Sequence, residues 1–179
     1  MDTSHLANIA EDLISHSLQR AGMLVAKPKF DLAGTDLLAF AEMKDGVKFC
    51  RIQCKGRSLV NGSSSIKIPK AHVTDGLVAI LYAELGDSAQ HLFCFFANDI
   101  RQWHQTDADE YSLSLSRTTI EQKLEFYRFD DTKVHLIQAI VASAELHGEF
   151  RSLIYGRAAM TLGAVVVKGE GTVRPPDAT

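Results

Sequence analysis

The chain has 179 residues, 46% of them hydrophobic, and a formal charge of −3; its mean hydropathy is −0.02. That length fits a single domain able to bury a proper core, and the balance excludes a disordered, fibrous or helical-membrane chain. No apolar run is long enough to span a bilayer and no secretory signal opens the sequence, so a cytoplasmic protein is expected.

The first element is a helix. Leu6, Ala10, Leu13 and Ser17 recur at helical spacing, Ile9 and Ile14 widen the apolar face, and Gly22 is a natural stop. Glu11 falls in line with Ala7, Ile14 and Leu18 at the border of that face, while Asp12 points away. A carboxylate turned toward the interior needs a partner, either a metal ion or an Arg or Lys.

Met23-Leu24-Val25-Ala26 reads as a short strand. Asp36 then opens the run Asp36-Leu37-Leu38-Ala39-Phe40-Ala41, and Asp45-Gly46 is a hairpin-turn signal before the next strand. From Val47 to Lys55, strand alternation puts Arg51, Gln53 and Lys55 on one face and Cys50, Ile52 and Cys54 on the other. A polar set ending an apolar strand fits one buried face with its tip in a cleft. In an antiparallel hairpin the start of one strand lies beside the end of the next, which brings Asp36 to Gln53 and Lys55.

Further along, Val60 to Ser65 reads as a polar loop, and Ser64 to Pro69 as a short strand. Gly76 to Ala83 reads as a central strand, and His91 to Phe96 as another buried strand after a Gly86-Asp87-Ser88 turn. Asn98 is the expected cap of a helical turn, and Thr118 with Glu121 forms a capping-box pattern ahead of Leu124. Asp130 or Asp131 caps a longer helix with Val134, Ile137, Ile140, Val141 and Ala144 inward, closing near Gly148. Lys168 to Thr179 reads as a flexible tail.

The charge is unevenly spread. Met23 to His72 holds nine Lys or Arg against four Asp or Glu, a net +5, and the remainder carries −8. A basic segment at the Asp36 strands suits phosphate binding, and equally suits a solvated hairpin with Lys-decorated edges. Cys50, Cys54 and Cys94, odd in number and without zinc-type spacing, read as reduced core thiols. The seven histidines form no His-x-His or His-Glu-x-x-His pattern, and no Gly-x-Ser-x-Gly elbow, P-loop or nucleotide fingerprint is present.

With Glu11, Asp36 and Gln53-Cys54-Lys55 in that order, the first half of the chain resembles the PD-(D/E)XK (restriction-endonuclease-like) nuclease superfamily. Thr35 stands in place of the Pro, and Gln53 in place of the second acid, as in Gln-x-Lys variants of the group. The resemblance implies an α/β fold with a central mixed β-sheet flanked by helices in αβββαβ order, and a helical C-terminal extension. The domain would cover 1–167, its core about 4–105 and the extension about 117–150.

By the same resemblance Asp36, Gln53, Lys55 and Glu11 are the catalytic candidates. Asp36, Gln53, Glu11 and the Cys54 carbonyl would hold Mg²⁺ or Mn²⁺, and Lys55 would position the attacking water. Lys27, Lys29, Arg51, Arg57 and Lys67 are the candidate DNA contacts. The implied function is a divalent-metal-dependent DNA endonuclease of repair, recombination or restriction, acting as a homodimer. A catalytically silent module that binds DNA or a protein is the alternative. Singly, each residue also has an ordinary reading: Asp36 as a turn cap, Lys55 as a solvated loop residue, Glu11 as a helix-edge acid.

Overall fold

The computed structural model describes residues 3–29, 34–40, 47–87 and 89–144. Helix α1 (Thr3–Arg20) leads into strands β1 (Leu24–Ala26), β2 (Leu37–Phe40) and β3 (Phe49–Ser58). These three pair antiparallel in sequence order, with Leu37 opposite Ile52 and Phe40 opposite Phe49. Strand β5 (Leu77–Glu84) then runs parallel to β3, and β6 (His91–Phe96) closes the sheet antiparallel to β5. The sheet order is β1-β2-β3-β5-β6, a mixed sheet.

The β3–β5 crossover is where the expected αβββαβ order is modified. The period-two pattern from Ser64 to Pro69 forms β4 (Ser63–Pro69), followed by a single 3-10 turn at Lys70–His72 rather than a full helix. Strand β4 pairs with β8 (Glu110–Ser116), itself flanked by β7 (His104–Gln105), in a second three-stranded sheet. Ahead of the expected helical extension, Tyr111, Leu113 and Leu115 alternate with serines and form β8, a stretch for which sequence analysis gave no element.

Each face of the central sheet is covered. On one side Ala10, Ile14 and Leu18 of α1 and Val134, Ile137 and Val141 of α4 (Asp131–Ser143) pack on Ile52, Cys54, Val78, Ile80 and Cys94. On the other side β4, β8, α2 (Ala97–Ile100) and α3 (Ile120–Leu124) cover Leu77, Ala79, Leu81, Phe93 and Phe95. Paired on both sides and covered on both faces, β5 is buried almost throughout. The expectation of a single buried face on β3 is therefore corrected: Gln53, on the second face, is only 4% exposed.

Local expectations divide in the same way. The buried line of α1 is Leu6, Ala10, Ile14 and Leu18, so Leu13 and Ser17 lie on its half-exposed flanks. Asp130 caps α4 as read, its Oδ1 accepting from Lys133 N at 3.0 Å. Asn98 does not cap α2; Asp99 reaches back to accept from Phe96 N at 2.9 Å, and Asn98 accepts from Arg101 instead. The Thr118–Glu121 box is likewise not made, because the Thr118 hydroxyl pairs with Ser116 and Glu121 with Arg128.

The Asp45-Gly46 turn, Ser88, the helix end near Gly148 and the tail lie outside the described residues. No helix among the described residues is long and apolar enough to cross a membrane.

Candidate active site

The site is a notch in the sheet edge. Strand β2 begins at Leu37, whereas β3 continues outward to Ser58, so among the described residues the β2 side of β3 carries no paired strand residue beyond Ile52. Asp36 fills the first vacancy. Its N–H donates to Ile52 O at 2.9 Å, and its Oδ2 accepts from Cys54 N at 2.6 Å, replacing the backbone carbonyl a longer β2 would offer. The N–H and C=O of a strand residue point to the same side, so the Cys54 carbonyl opens on the same notch.

Gln53 stands between these two. Its side chain is buried and its Oε1 has no hydrogen-bond partner among the described residues. The Thr35 hydroxyl beside Asp36 is in the same condition. A buried oxygen left unmatched costs about 1–3 kcal/mol, so such a pair asks for a donor, a water or a cation. Lys55 lies two residues on and by the pleat on the Gln53 face; it is half-buried.

Glu11 arrives from the opposite face, on α1, which packs against Cys54. Its carboxylate is 17% exposed and pairs with the Lys27 ammonium, a bond that raises the Lys27 pKa. The interior-facing acid has thus found the Lys partner that sequence analysis gave as one of two choices.

Burial pushes the Cys54 thiol pKa well above the ordinary value, and the Asp36 and Glu11 carboxylates push it further, while Lys27 and Lys55 pull it down. Among the described residues, His, Cys, Asp and Glu side chains nowhere gather in threes at metal-holding spacing. The notch instead offers a mixed oxygen set of carboxylate, amide and backbone carbonyl, which is the donor chemistry of Mg²⁺ and Mn²⁺ rather than Zn²⁺.

The basic residues separate into two groups. Lys27, Lys29 and Lys67 are exposed, Lys67 with Glu110 at 3.4 Å. Arg51 is committed inward, donating to His72 O at 3.0 Å and Thr74 Oγ1 at 2.6 Å. Arg57 donates to Ser65 O and Gly56 O, both at 2.7 Å, and its burial lowers its pKa.

Two residues at the notch escaped sequence analysis. Gly34 has φ +72°, and a Cβ there would lie 2.5 Å from Gln53 Nε2 and 2.8 Å from His72 Nδ1. The position of Gly34 two residues before Asp36 was a usable signal; His72 offered none, since only the β3–β5 crossover brings it here.

The chain path is an α/β fold with a mixed central sheet flanked by helices, consistent with a nuclease-like fold. Among solved structures, a bacterial homing endonuclease, I-Ssp6803I, is similar to this chain with a TM-score of 0.51. The likeness covers 79% of this chain and 95% of that one at 16% identity, which is a likeness of fold. No family model matches the chain, and none of the curated proteins matches it.

Proposed function

We propose that this chain is a divalent-metal-dependent DNA endonuclease of the PD-(D/E)XK group in its Gln-x-Lys form. One observation carries the reading: the Asp36 carboxylate is fixed on the Cys54 N–H, and the residue before Cys54 is Gln53, whose buried Oε1 has no hydrogen-bond partner among the described residues. A backbone bond that fixes the Asp36 carboxylate supports the reading, since ligands gain from being preorganised. The likeness to a homing endonuclease supports DNA as the substrate class.

In this reading Asp36, Gln53 Oε1 and the Cys54 carbonyl hold Mg²⁺ or Mn²⁺. The ion, when bound, polarises the scissile phosphate and makes a bound water more acidic. Gln53 brings an oxygen without charge, so ion binding is weak in the free protein and strengthens when phosphate oxygens join. Glu11 is an accessory acid, released when Lys27 turns from it toward phosphate. Lys55 orients the attacking water or meets the charge that builds on the phosphate oxygens. Lys27, Lys29 and Lys67 supply backbone charge for DNA. A homodimer would let both strands be cut, in repair, recombination or restriction.

A catalytically silent DNA-binding or protein-binding module is the second reading, favoured by the Lys27–Glu11 ion pair that neutralises one acid of the set. Plasmid, single-stranded and branched DNA incubated with Mg²⁺ or Mn²⁺ separate the two. Cleavage by the chain and not by Lys55→Ala supports the nuclease. DNA bound but uncut by the wild-type chain supports the silent module, and cleavage by both proteins alike shows a contaminant.

A further inference from the structure

Beside the notch lies a second unmatched atom. His72 ends the 3-10 turn that follows β4, and its Nδ1 is buried without a hydrogen-bond partner among the described residues. The turn is held in place from β3: Arg51, two residues before Gln53, donates to the His72 carbonyl at 3.0 Å and to Thr74 Oγ1 at 2.6 Å. Gly34 shows how near the imidazole and the amide are. The point where its Cβ would stand is 2.5 Å from Gln53 Nε2 and 2.8 Å from His72 Nδ1, so the two nitrogens flank one small space.

A glutamine has a difficulty as a cation ligand that a glutamate lacks. Its two ends are almost isosteric, and only the carbonyl end serves; the NH₂ end repels a cation. Something must select the orientation. A neutral imidazole carrying its proton on Nε2 leaves Nδ1 as an acceptor, which suits the amide NH₂ and not the amide oxygen. Were Nε2 of Gln53 to close on His72 Nδ1, both unmatched atoms would be satisfied at once: Nδ1 by the amide, and Oε1 by the ion.

We propose that His72 is a positioning residue that fixes the side-chain amide of Gln53 with its oxygen toward the ion site. The inference rests on the nuclease reading above and adds a residue to it. It is the counterpart of the outer hydrogen-bond partners that orient metal ligands, whose loss costs about 10–100-fold in affinity or activity. It also gives the close approach at Gly34 a purpose, since any side chain there would part the amide from the ring.

The test uses the difference between an amide and a carboxylate. Mn²⁺ is titrated calorimetrically into the full chain and into His72→Leu, each with Gln53 and again with Gln53→Glu, and DNA cleavage is measured on the same proteins. With Gln53, His72→Leu is expected to bind Mn²⁺ about 10–100-fold more weakly and to lose kcat rather than raise KM for DNA. His72→Asn, which keeps an acceptor near the Nδ1 position, should stay close to wild type. With Gln53→Glu, whose two oxygens are equivalent, His72→Leu should cost nothing. An equal loss in both backgrounds would assign His72 a merely structural role, and no loss in either would remove it from the site. Should His72→Leu fail to fold, His72→Gln replaces it, because its amide reaches the Nε2 position and should lose affinity in the Gln53 background alone. A wild-type chain that neither binds Mn²⁺ nor cuts DNA overturns the nuclease reading, and the role of His72 with it.

Discussion

Asp36 Oδ2 accepts the Cys54 N–H at 2.6 Å, at the point where β2 has ended and β3 runs on. The bond makes one carboxylate both a sheet terminator and a candidate ligand, and the two duties can be separated. Asp36→Ala should destabilise the fold by about 1–3 kcal/mol, since a partly buried N–H loses its acceptor. Asp36→Asn keeps an oxygen for that N–H and should cost clearly less stability, yet lose cleavage as completely as Asp36→Ala. Urea denaturation of the two variants beside a nuclease assay reads both effects. Equal stability losses would show that the bond contributes little.

Gly34 is held at φ +72° against Gln53 and His72. Gly34→Ala adds backbone strain of about 1–2 kcal/mol, and its methyl group meets the Gln53 amide and the His72 ring. Thermal melting should show a drop of several degrees, and Mn²⁺ affinity should fall further than that drop explains. Gly62, also at positive φ but with open space around its Cβ, is the control: Gly62→Ala should melt lower and bind Mn²⁺ normally.

The Lys27–Glu11 pair makes a prediction of opposite sign for affinity. Lys27 is 58% exposed at its side chain, so its removal should change stability by less than about 1 kcal/mol. A divalent ion competes with that ammonium for Glu11 under the proposed function. Lys27→Met should therefore bind Mn²⁺ more tightly in the absence of DNA while binding DNA more weakly. Tighter metal binding would fail to appear if Glu11 lies outside the ion's reach.

The three thiols predict alkaline lability. Burial pushes Cys50 up to about 12, and Cys54 and Cys94 are raised as well. A thiol with a raised folded-state pKa contributes its full stability below the pKa of the unfolded thiol, near pH 9, and loses it as pH rises toward the folded value. Stability should be flat in this respect up to about pH 8.5 and then fall by about 1.4 kcal/mol per pH unit for each thiol. Replacing Cys50 by Ala should flatten the decline measurably between about pH 9.5 and pH 11.

The antiparallel pairing that brings Asp36 to the Ile52–Cys54 stretch of β3 was legible in the sequence, because period-two patterning and antiparallel pairing are local facts. So were β5 and β6, whose unbroken apolar runs announce burial on both faces. What stayed hidden depends on contacts remote in sequence. The partner of Glu11 is a lysine sixteen residues away that only the β1 turn brings close. His72 reaches Gln53 through the β4 crossover, and neither residue names the other in the sequence. Strand β8 lies in a stretch to which sequence analysis assigned no element, although Tyr111, Leu113 and Leu115 alternate with serines there. At the start of α2 the side chain that accepts from the N-cap Phe96 N–H is Asp99 rather than Asn98, a choice between adjacent polar residues that side-chain reach decides.

The central claim is that the notch oxygens of Asp36 and Gln53 hold a divalent cation that phosphate completes. Calorimetric titration of Mg²⁺ or Mn²⁺ into the chain, with and without duplex DNA, tests it most directly. Weak binding that strengthens with DNA, and disappears in Asp36→Ala under both conditions, is the result expected. Affinity unchanged by Asp36→Ala would contradict it.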